Sequence, residues 1–179
     1  MRRFLDSLYR FGGYISALQL AAIMIMVVLQ VSGRILDNGL KALGMNSLGL
    51  QIPGLAELAG FLLLGATFTG LAYTLMVGGH IRVDLLHRAL PASMQKALDL
   101  LVTLIALAIT AYATWYSVLL AYDSYDFGDL SIGMVPVPLW FPQAVMVLGL
   151  IWLLVALLDV LIGLITGRIT HIQEEAPLE

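Results

Sequence analysis

Four apolar segments divide the chain, and each is long enough to cross a bilayer. They cover approximately residues 11–33, 55–77, 98–122 and 138–166. A helix needs roughly 20 apolar residues to span about 30 Å of hydrocarbon. The first segment is longer than the apolar core of a signal peptide and precedes no convincing cleavage site, so we interpret it as a retained helix. The pattern predicts four transmembrane helices and a polar tail at residues 167–179.

Two further segments are amphipathic rather than uniformly apolar. Phe4, Leu5, Leu8 and Phe11 recur at helical spacing with charged residues between them, and residues 81–90 alternate apolar and charged positions. Segments of this kind lie along membrane surfaces. The predicted fold class is therefore all-α: one integral membrane domain over residues 1–179, with four transmembrane helices and short interfacial amphipathic helices.

Composition supports a membrane protein. Hydrophobic residues make up 60% of the chain and charged residues only 12%, whereas soluble domains carry about 25% charged residues. The chain has no cysteine, which excludes disulfides and cysteine-ligated metals. The net charge of −3, without a large basic patch, argues against nucleic acid as a partner.

The positive charges are distributed unevenly between the predicted connections. Seven of the nine Lys and Arg residues lie before the first span, between the second and third, or after the fourth. Only Arg34 and Lys41 lie on the other side. Because cytoplasmic segments are enriched in Lys and Arg, we expect both termini in the cytoplasm.

The residues of known catalytic sites are missing. The chain has no phosphate-binding loop, no HExxH motif and no nucleophile in a recognisable setting. The three histidines fall outside the predicted spans, so a histidine pair for haem inside the helices is not expected. Asp123, Asp126 and Asp129 would form a metal site only if they converge, and a solvated loop is the simpler interpretation. We expect no enzymatic activity and no cofactor.

Ionisable residues inside the spans, which mark ion paths in transporters, are few. Glu57 and Asp99 fall near the starts of the second and third spans, and Asp159 is the deepest. This set is small for an ion-coupled carrier. We expect Asp159 to be protonated or paired with a basic group. For Glu57 three partners stay open: a basic group of another subunit, Arg34 or Lys41 of this chain, and the lipid headgroup layer.

The spans contain more residues suited to helix–helix contact than ionisable residues. The second span has small residues at four-residue spacing, which lets helices approach closely in lipid. Gln19 and Gln30 share one face of the first span, and a face with two glutamines should meet protein. That protein is either another helix of this chain or a partner subunit. The candidate contact residues are Gln19, Gln30, Arg34, Glu57, Gly60, Gly65, Ala66, Gly70 and Asp159.

Several stretches together carry a family resemblance. Glu57 opens the second span, and FLLLGA follows at residues 61–66. The sequence GGHIRVDLLHRALP covers residues 78–91, and SIGMVPVPLWFPQAVMVLG covers residues 131–149. With four helices in a chain of this length, the combination resembles the small membrane subunit of tripartite ATP-independent periplasmic (TRAP) transporters.

That resemblance implies a function. Such systems import small organic anions, often carboxylates or sugar acids, across the bacterial inner membrane. A periplasmic binding protein captures the solute, and a large multi-spanning subunit carries it by an elevator-type motion coupled to sodium. The small subunit braces the static scaffold of the large one. The solute and sodium sites are then expected outside this chain.

The resemblance also suggests roles for single residues. Glu57 would pair with a basic group or helix terminus of the large subunit, and Gly65 and Ala66 would permit a close helix crossing. Three aspartates would touch the binding protein: Asp123, Asp126 and Asp129. Seven residues match the family's motifs at the inner turn and at the entry of the fourth helix: His80, Arg82, Asp84, Pro91, Trp140, Pro142 and Gln143.

Rival functions make different predictions. A self-sufficient, homo-oligomeric transporter would move solute without a partner. A membrane anchor for a redox enzyme would bind haem or quinone. A lipid-modifying membrane enzyme would need a catalytic set that the sequence does not supply.

Overall fold

A computed structural model describes residues 2–46, 48, 49, 51–77 and 91–167. The predicted interfacial segment at residues 81–90 lies outside these residues, as does the polar tail beyond Gly167. Three of the family-motif residues, His80, Arg82 and Asp84, also lie outside them.

Four helices account for most of the described chain, and each is long and apolar enough to cross a membrane. Helix α1 spans Arg2–Ala42, α2 spans Leu55–Met76, α3 spans Ala92–Asp126 and α4 spans Trp140–Ile165. The predicted all-α membrane fold is confirmed. The bounds of α2 agree with the sequence prediction to within one residue, and α4 is slightly shorter than predicted.

Helix α1 differs most from its predicted bounds. The amphipathic segment before the first span is not a separate helix, because α1 runs without interruption through Arg2–Ala42. Arg34 and Lys41 consequently lie on the helix and not in a loop. Loss of apolar character ends a membrane span but not a helix, since intrahelical hydrogen bonds satisfy the backbone groups outside the hydrocarbon as well as inside it. With 41 residues, α1 is about 60 Å long.

Helix α3 also extends past the predicted segment at both ends. Pro91 precedes its first turn in an extended conformation (φ −65°, ψ 150°), as expected for a residue that cannot continue a helix backward. At the other end, Asp123 and Asp126 belong to the last turn and not to a loop. Gly128 then adopts φ +66°, and the Asp129 amide donates to the Ser124 carbonyl at 3.0 Å. This is a Schellman termination, which favours glycine.

In space the helices follow the order α1, α2, α4, α3. Helix α1 packs mainly on α2, α2 packs on α4, and α4 packs on α3. Helices α1 and α3 therefore form the two edges of the row, and α2 and α4 form its centre. The buried residues of α4 include Gly149, Ala156, Val160 and Gly163, which fall on one face.

The connections 43–54 and 127–139 lie at the same end of the row, here named the connection end. In the second connection the Ser131 amide donates to the Val137 carbonyl at 2.9 Å, and the Leu139 amide donates to the Asp129 carbonyl at 3.0 Å. Leu130 and Pro138 form an antiparallel bridge. Residues 129–139 are therefore a short hairpin, named the α3–α4 hairpin. Pro138 belongs to this hairpin and precedes α4, whereas the sequence placed it in the helix.

Candidate functional site

The polar face of α1 packs against the small-residue face of α2. The Ser16 hydroxyl donates to the Ala66 carbonyl at 2.7 Å. The Gln19 amide lies over Gly65, where an added methyl group would meet its nitrogen at 2.5 Å. The Thr69 hydroxyl is 2.8 Å from the Gly65 carbonyl and 3.4 Å from the Gln19 amide oxygen. Of the two interpretations of Gln19, the structure thus supports contact with this chain's own helix.

Glycines allow close contact at two of the helix interfaces. A methyl group at Gly149 of α4 would meet the carbonyl group of Phe68 at 2.5 Å, so α2 and α4 are nearly in backbone contact. Gly70 faces Ser16 across the α1–α2 interface. Gly60 differs from these, because nothing lies within 4 Å of a methyl group placed there. Among the candidate small residues, Gly60 therefore remains open to a partner.

The interface between α3 and α4 is polar on the α3 side. Five residues of α3 at helical spacing are buried: Asp99, Thr103, Thr110, Thr114 and Ser124. The threonine hydroxyls at 103 and 114 donate to carbonyls four residues earlier, at 2.7 Å each. Small, self-satisfied hydroxyl residues let two helices pack closely in lipid.

Glu57 lies in the first turn of α2 and contacts the α3–α4 hairpin. Its carboxylate occupies the space that a side chain at Gly133 would need. Val135 of the same hairpin packs near Gly54, the residue before α2, whose φ is +68°. An anionic side chain in the first turn also interacts favourably with the helix dipole. Within the described residues Glu57 makes no ion pair with Arg34 or Lys41, so that interpretation of Glu57 is not supported.

The first connection folds back along α1. The Leu48 amide donates to the buried Asp37 carboxylate at 2.8 Å. The Ile52 amide donates to the Gln30 side-chain oxygen at 2.7 Å. Asp37 and Gln30 are seven residues apart on the helix, which is about 10 Å. The first connection therefore runs back along α1, from Asp37 toward Gln30, before α2 begins. The C-terminal end of α1 consequently extends beyond the start of α2.

A cleft of about 770 Å³ opens between α1, the first connection, the start of α2 and the hairpin. Arg34 and Glu57 both line it. The remaining wall is largely apolar, with Val27 and Val31 from α1 and Met134 from the hairpin.

Aromatic and acidic residues collect at the connection end. Trp140 packs edge to face on Tyr125 and on Phe141, with ring centroids 5.9 Å and 6.0 Å apart. Asp123, Asp126 and Asp129 are all exposed. No cluster able to hold a metal ion is found within the described ranges. Pro142 is buried in the first turn of α4, and the buried Gln143 amide oxygen finds no hydrogen-bond partner in the described part of the chain.

The opposite end contains the deepest predicted acid. Asp159 of α4 is half-buried and lies close enough to Tyr9 of α1 to interact electrostatically. Tyr9 is 2% exposed and packs with Ala72 and Ala156, and its hydroxyl has no hydrogen-bond partner among described groups. No basic residue of the described ranges pairs with Asp159, so a basic partner for it remains a prediction.

Sequence reasoning missed four of these residues: Ser16, Asp37, Tyr9 and Gly133. The spacing of Ser16 and Gln19 places them near one another on α1, which was a usable signal. Asp37 follows the predicted first span, in a connection where a carboxylate is expected to be solvated. Nothing local distinguishes Gly133 from other loop glycines, since its importance comes from Glu57 on another helix.

Comparison with known proteins identifies a family for this chain. A sequence profile described as "Tripartite ATP-independent periplasmic transporters, DctQ component" matches residues 23–167. The ectoine TRAP transporter small permease protein TeaB of Halomonas elongata is 26% identical over 121 residues, covering 65% of this chain and 63% of that protein. The match to the profile confirms the family resemblance. This chain belongs to the DctQ component family of tripartite ATP-independent periplasmic transporters.

Proposed function

We propose that this subunit braces the scaffold of a large multi-spanning transport subunit and does not carry the solute itself. The proposal rests on a difference between two kinds of helix surface, those that pack within this chain and those that stay exposed. The polar and small residues Ser16, Gln19 and Thr69 are used between helices of this chain. The edge helices expose long apolar surfaces, and an elongated row of helices with such surfaces suits a second membrane protein.

The edge helices supply the surface for such a partner. Each packs principally on one neighbour, and its spanning part exposes many large apolar side chains. The exposed residues include Leu18, Met24 and Ile25 on α1 and Ile109, Tyr112 and Trp115 on α3. Gly60, with open space around it, provides a place where a partner helix can approach α2 closely.

Transport chemistry belongs to the other components in this proposal. The solute is a small organic anion, a carboxylate or a sugar acid, and a periplasmic binding protein delivers it. Sodium coupling resides in the large subunit. The related TeaB protein serves an ectoine transporter by name, which supports a solute-import function. The subunit has no enzymatic activity and needs no cofactor.

The chain resides in the bacterial inner membrane with both termini in the cytoplasm. This orientation rests on the Lys and Arg distribution. It places the connection end in the periplasm, where the exposed Asp123, Asp126 and Asp129 can meet the binding protein.

The decisive experiment is purification of the chain from its native membranes in mild detergent, followed by mass spectrometry. A stoichiometric, much larger multi-spanning protein should co-purify. Reconstitution of this chain alone into liposomes should give no solute uptake, whereas the complex with the binding protein should restore it. A stable homo-oligomer that transports without a partner would refute the bracing role. Bound haem would instead favour a redox anchor.

A further inference from the structure

The cleft at the connection end combines two opposite charges that do not neutralise each other. Arg34 and Glu57 both line it, and the described residues contain no ion pair between them. The Glu57 carboxylate lies against Gly133 of the hairpin. Arg34 is exposed on α1. Two uncharged polar side chains, Gln30 and Gln51, also line the cleft, and the Gln30 oxygen already accepts from the Ile52 amide. The cleft therefore presents one cation and one anion to a ligand.

The apolar part of the cleft is open toward the side of the helix row. Val27 is 43% exposed and Val31 is 51% exposed. Both lie on the part of α1 that precedes Arg34, farther from the connection end. The wall thus changes from apolar to charged over about 10 Å of helix. A bilayer changes from hydrocarbon to headgroup in the same direction. The volume of about 770 Å³ is within the usual range of small-molecule sites.

We propose that this cleft binds one phospholipid with a zwitterionic headgroup that ends in a primary ammonium. The Arg34 guanidinium holds the phosphate, because its planar donors match phosphate oxygens. The Glu57 carboxylate accepts from the ammonium. An acyl chain lies along Val27 and Val31. The site is a property of this chain and does not depend on the bracing role.

The requirement for Glu57 distinguishes this site from ordinary snorkelling. An arginine near the end of a span commonly reaches the headgroup layer without selecting a lipid. A headgroup without an ammonium would leave the Glu57 carboxylate unpaired beside a phosphate, which is unfavourable in a partly desolvated cleft. A trimethylated headgroup cannot donate a hydrogen bond to the carboxylate. The cleft should therefore prefer phosphatidylethanolamine over both phosphatidylglycerol and phosphatidylcholine.

Native mass spectrometry of the full-length chain released from nanodiscs tests the proposal. The nanodiscs contain equal amounts of phosphatidylethanolamine, phosphatidylglycerol and phosphatidylcholine with matched acyl chains. We expect one retained phosphatidylethanolamine per chain, preferred about tenfold over the other two, as a charge-assisted hydrogen bond allows. Glycerophosphoethanolamine, which has the headgroup without acyl chains, should not displace it.

Two substitutions should give different signatures. Glu57→Gln should abolish the preference among headgroups while some lipid is still retained. Arg34→Gln should lower retention of all three lipids. Lys41→Gln is the matched control, since Lys41 is an exposed cation on the same helix that does not line the cleft. It should behave as the natural chain does.

Three results would overturn the site: equal retention of the three lipids by the natural chain, a preference that survives Glu57→Gln, or displacement by glycerophosphoethanolamine. A photo-cross-linking residue at Val31 gives an independent measurement in the native membrane complex. It should label lipid, and labelling of another protein subunit would show that a partner occupies the cleft instead. Neither measurement uses transport activity, so failure of the lipid site and failure of the bracing role are distinguishable.

Discussion

The carboxylate of Glu57 occupies the space beside Gly133 that any larger residue would fill. This contact joins the first turn of α2 to the α3–α4 hairpin, although the two residues are far apart in the chain. It places an anion at the connection end, in the cleft that Arg34 also lines.

Replacement of Gly133 by alanine should disturb this arrangement. The new methyl group overlaps the Glu57 carboxylate, so either the side chain rotates away or the hairpin shifts. We expect a loss of about 1–3 kcal/mol, as for other overpacked sites, measured as a lower melting temperature of the detergent-solubilised chain. The double substitution Gly133→Ala with Glu57→Ala should recover most of the loss. No recovery would mean that the two residues are not coupled.

Two helical glycines should respond oppositely to alanine. Gly149→Ala forces a methyl group against the Phe68 carbonyl, so α2 and α4 must separate and the chain should lose about 1–3 kcal/mol. Gly60→Ala meets nothing within 4 Å and should be neutral, or stabilise by up to about 1 kcal/mol through helix propensity. Thermal unfolding of the two variants side by side makes the comparison. Equal destabilisation would contradict the assigned environments.

A larger residue at Gly60 should affect assembly but not the fold of the chain. Gly60→Leu adds bulk on the open side of α2, where the proposed partner helix would approach. We expect an unchanged melting temperature for the isolated chain and several-fold less large subunit after affinity purification. Thr67→Leu, on the same exposed face of α2, tests whether bulk anywhere on that face has the same effect. Undiminished co-purification of both variants would remove this face from the interface.

The fold-back of the first connection should depend on an acceptor at position 37. Asp37→Ala removes the partner of the Leu48 amide, and the local stability should fall by about 1 kcal/mol or more. Hydrogen exchange at Leu48 should then accelerate by about tenfold. Asp37→Asn keeps a side-chain carbonyl oxygen and should retain most of the protection. Equal exchange in both variants would show that this hydrogen bond does not hold the connection.

The orientation can be measured directly, because the chain has no cysteine of its own. Single cysteines at Asn46 and Asp129 should react with a membrane-impermeant maleimide in intact cells. A cysteine at Ser7, near the opposite end, should react only after the inner membrane is permeabilised. The reverse pattern would place the connection end in the cytoplasm and exclude its contact with a periplasmic protein.

Contact of the acidic residues with the binding protein predicts a salt-dependent affinity. Replacing Asp123, Asp126 and Asp129 together by asparagine should weaken docking on the order of tenfold and flatten its dependence on ionic strength. Surface plasmon resonance of the reconstituted complex measures both. Asp6→Asn, at the opposite end of the row, is the control. Unchanged docking of the triple variant would remove these residues from the interface.

Length and apolarity are local properties, so the number of spans and the ends of α2 were predictable from the sequence. The ends of α1 and α3 were not. Arg34 and Lys41 at one helix, and Asp123 and Asp126 at the other, end the apolar run without breaking the helix. Only a glycine in the left-handed region, such as Gly128, terminates it.

A four-helix membrane protein of a recognisable family can be predicted without coordinates, because hydrophobic span length and motif spacing are local features of the chain. The contacts of individual residues could not be predicted in this way. Gly60 and Gly65 look alike in sequence, yet one faces open space and the other faces Gln19. The placement of Glu57 against Gly133 likewise depends on helix order. Such differences arise from contacts between distant segments, which no local pattern encodes.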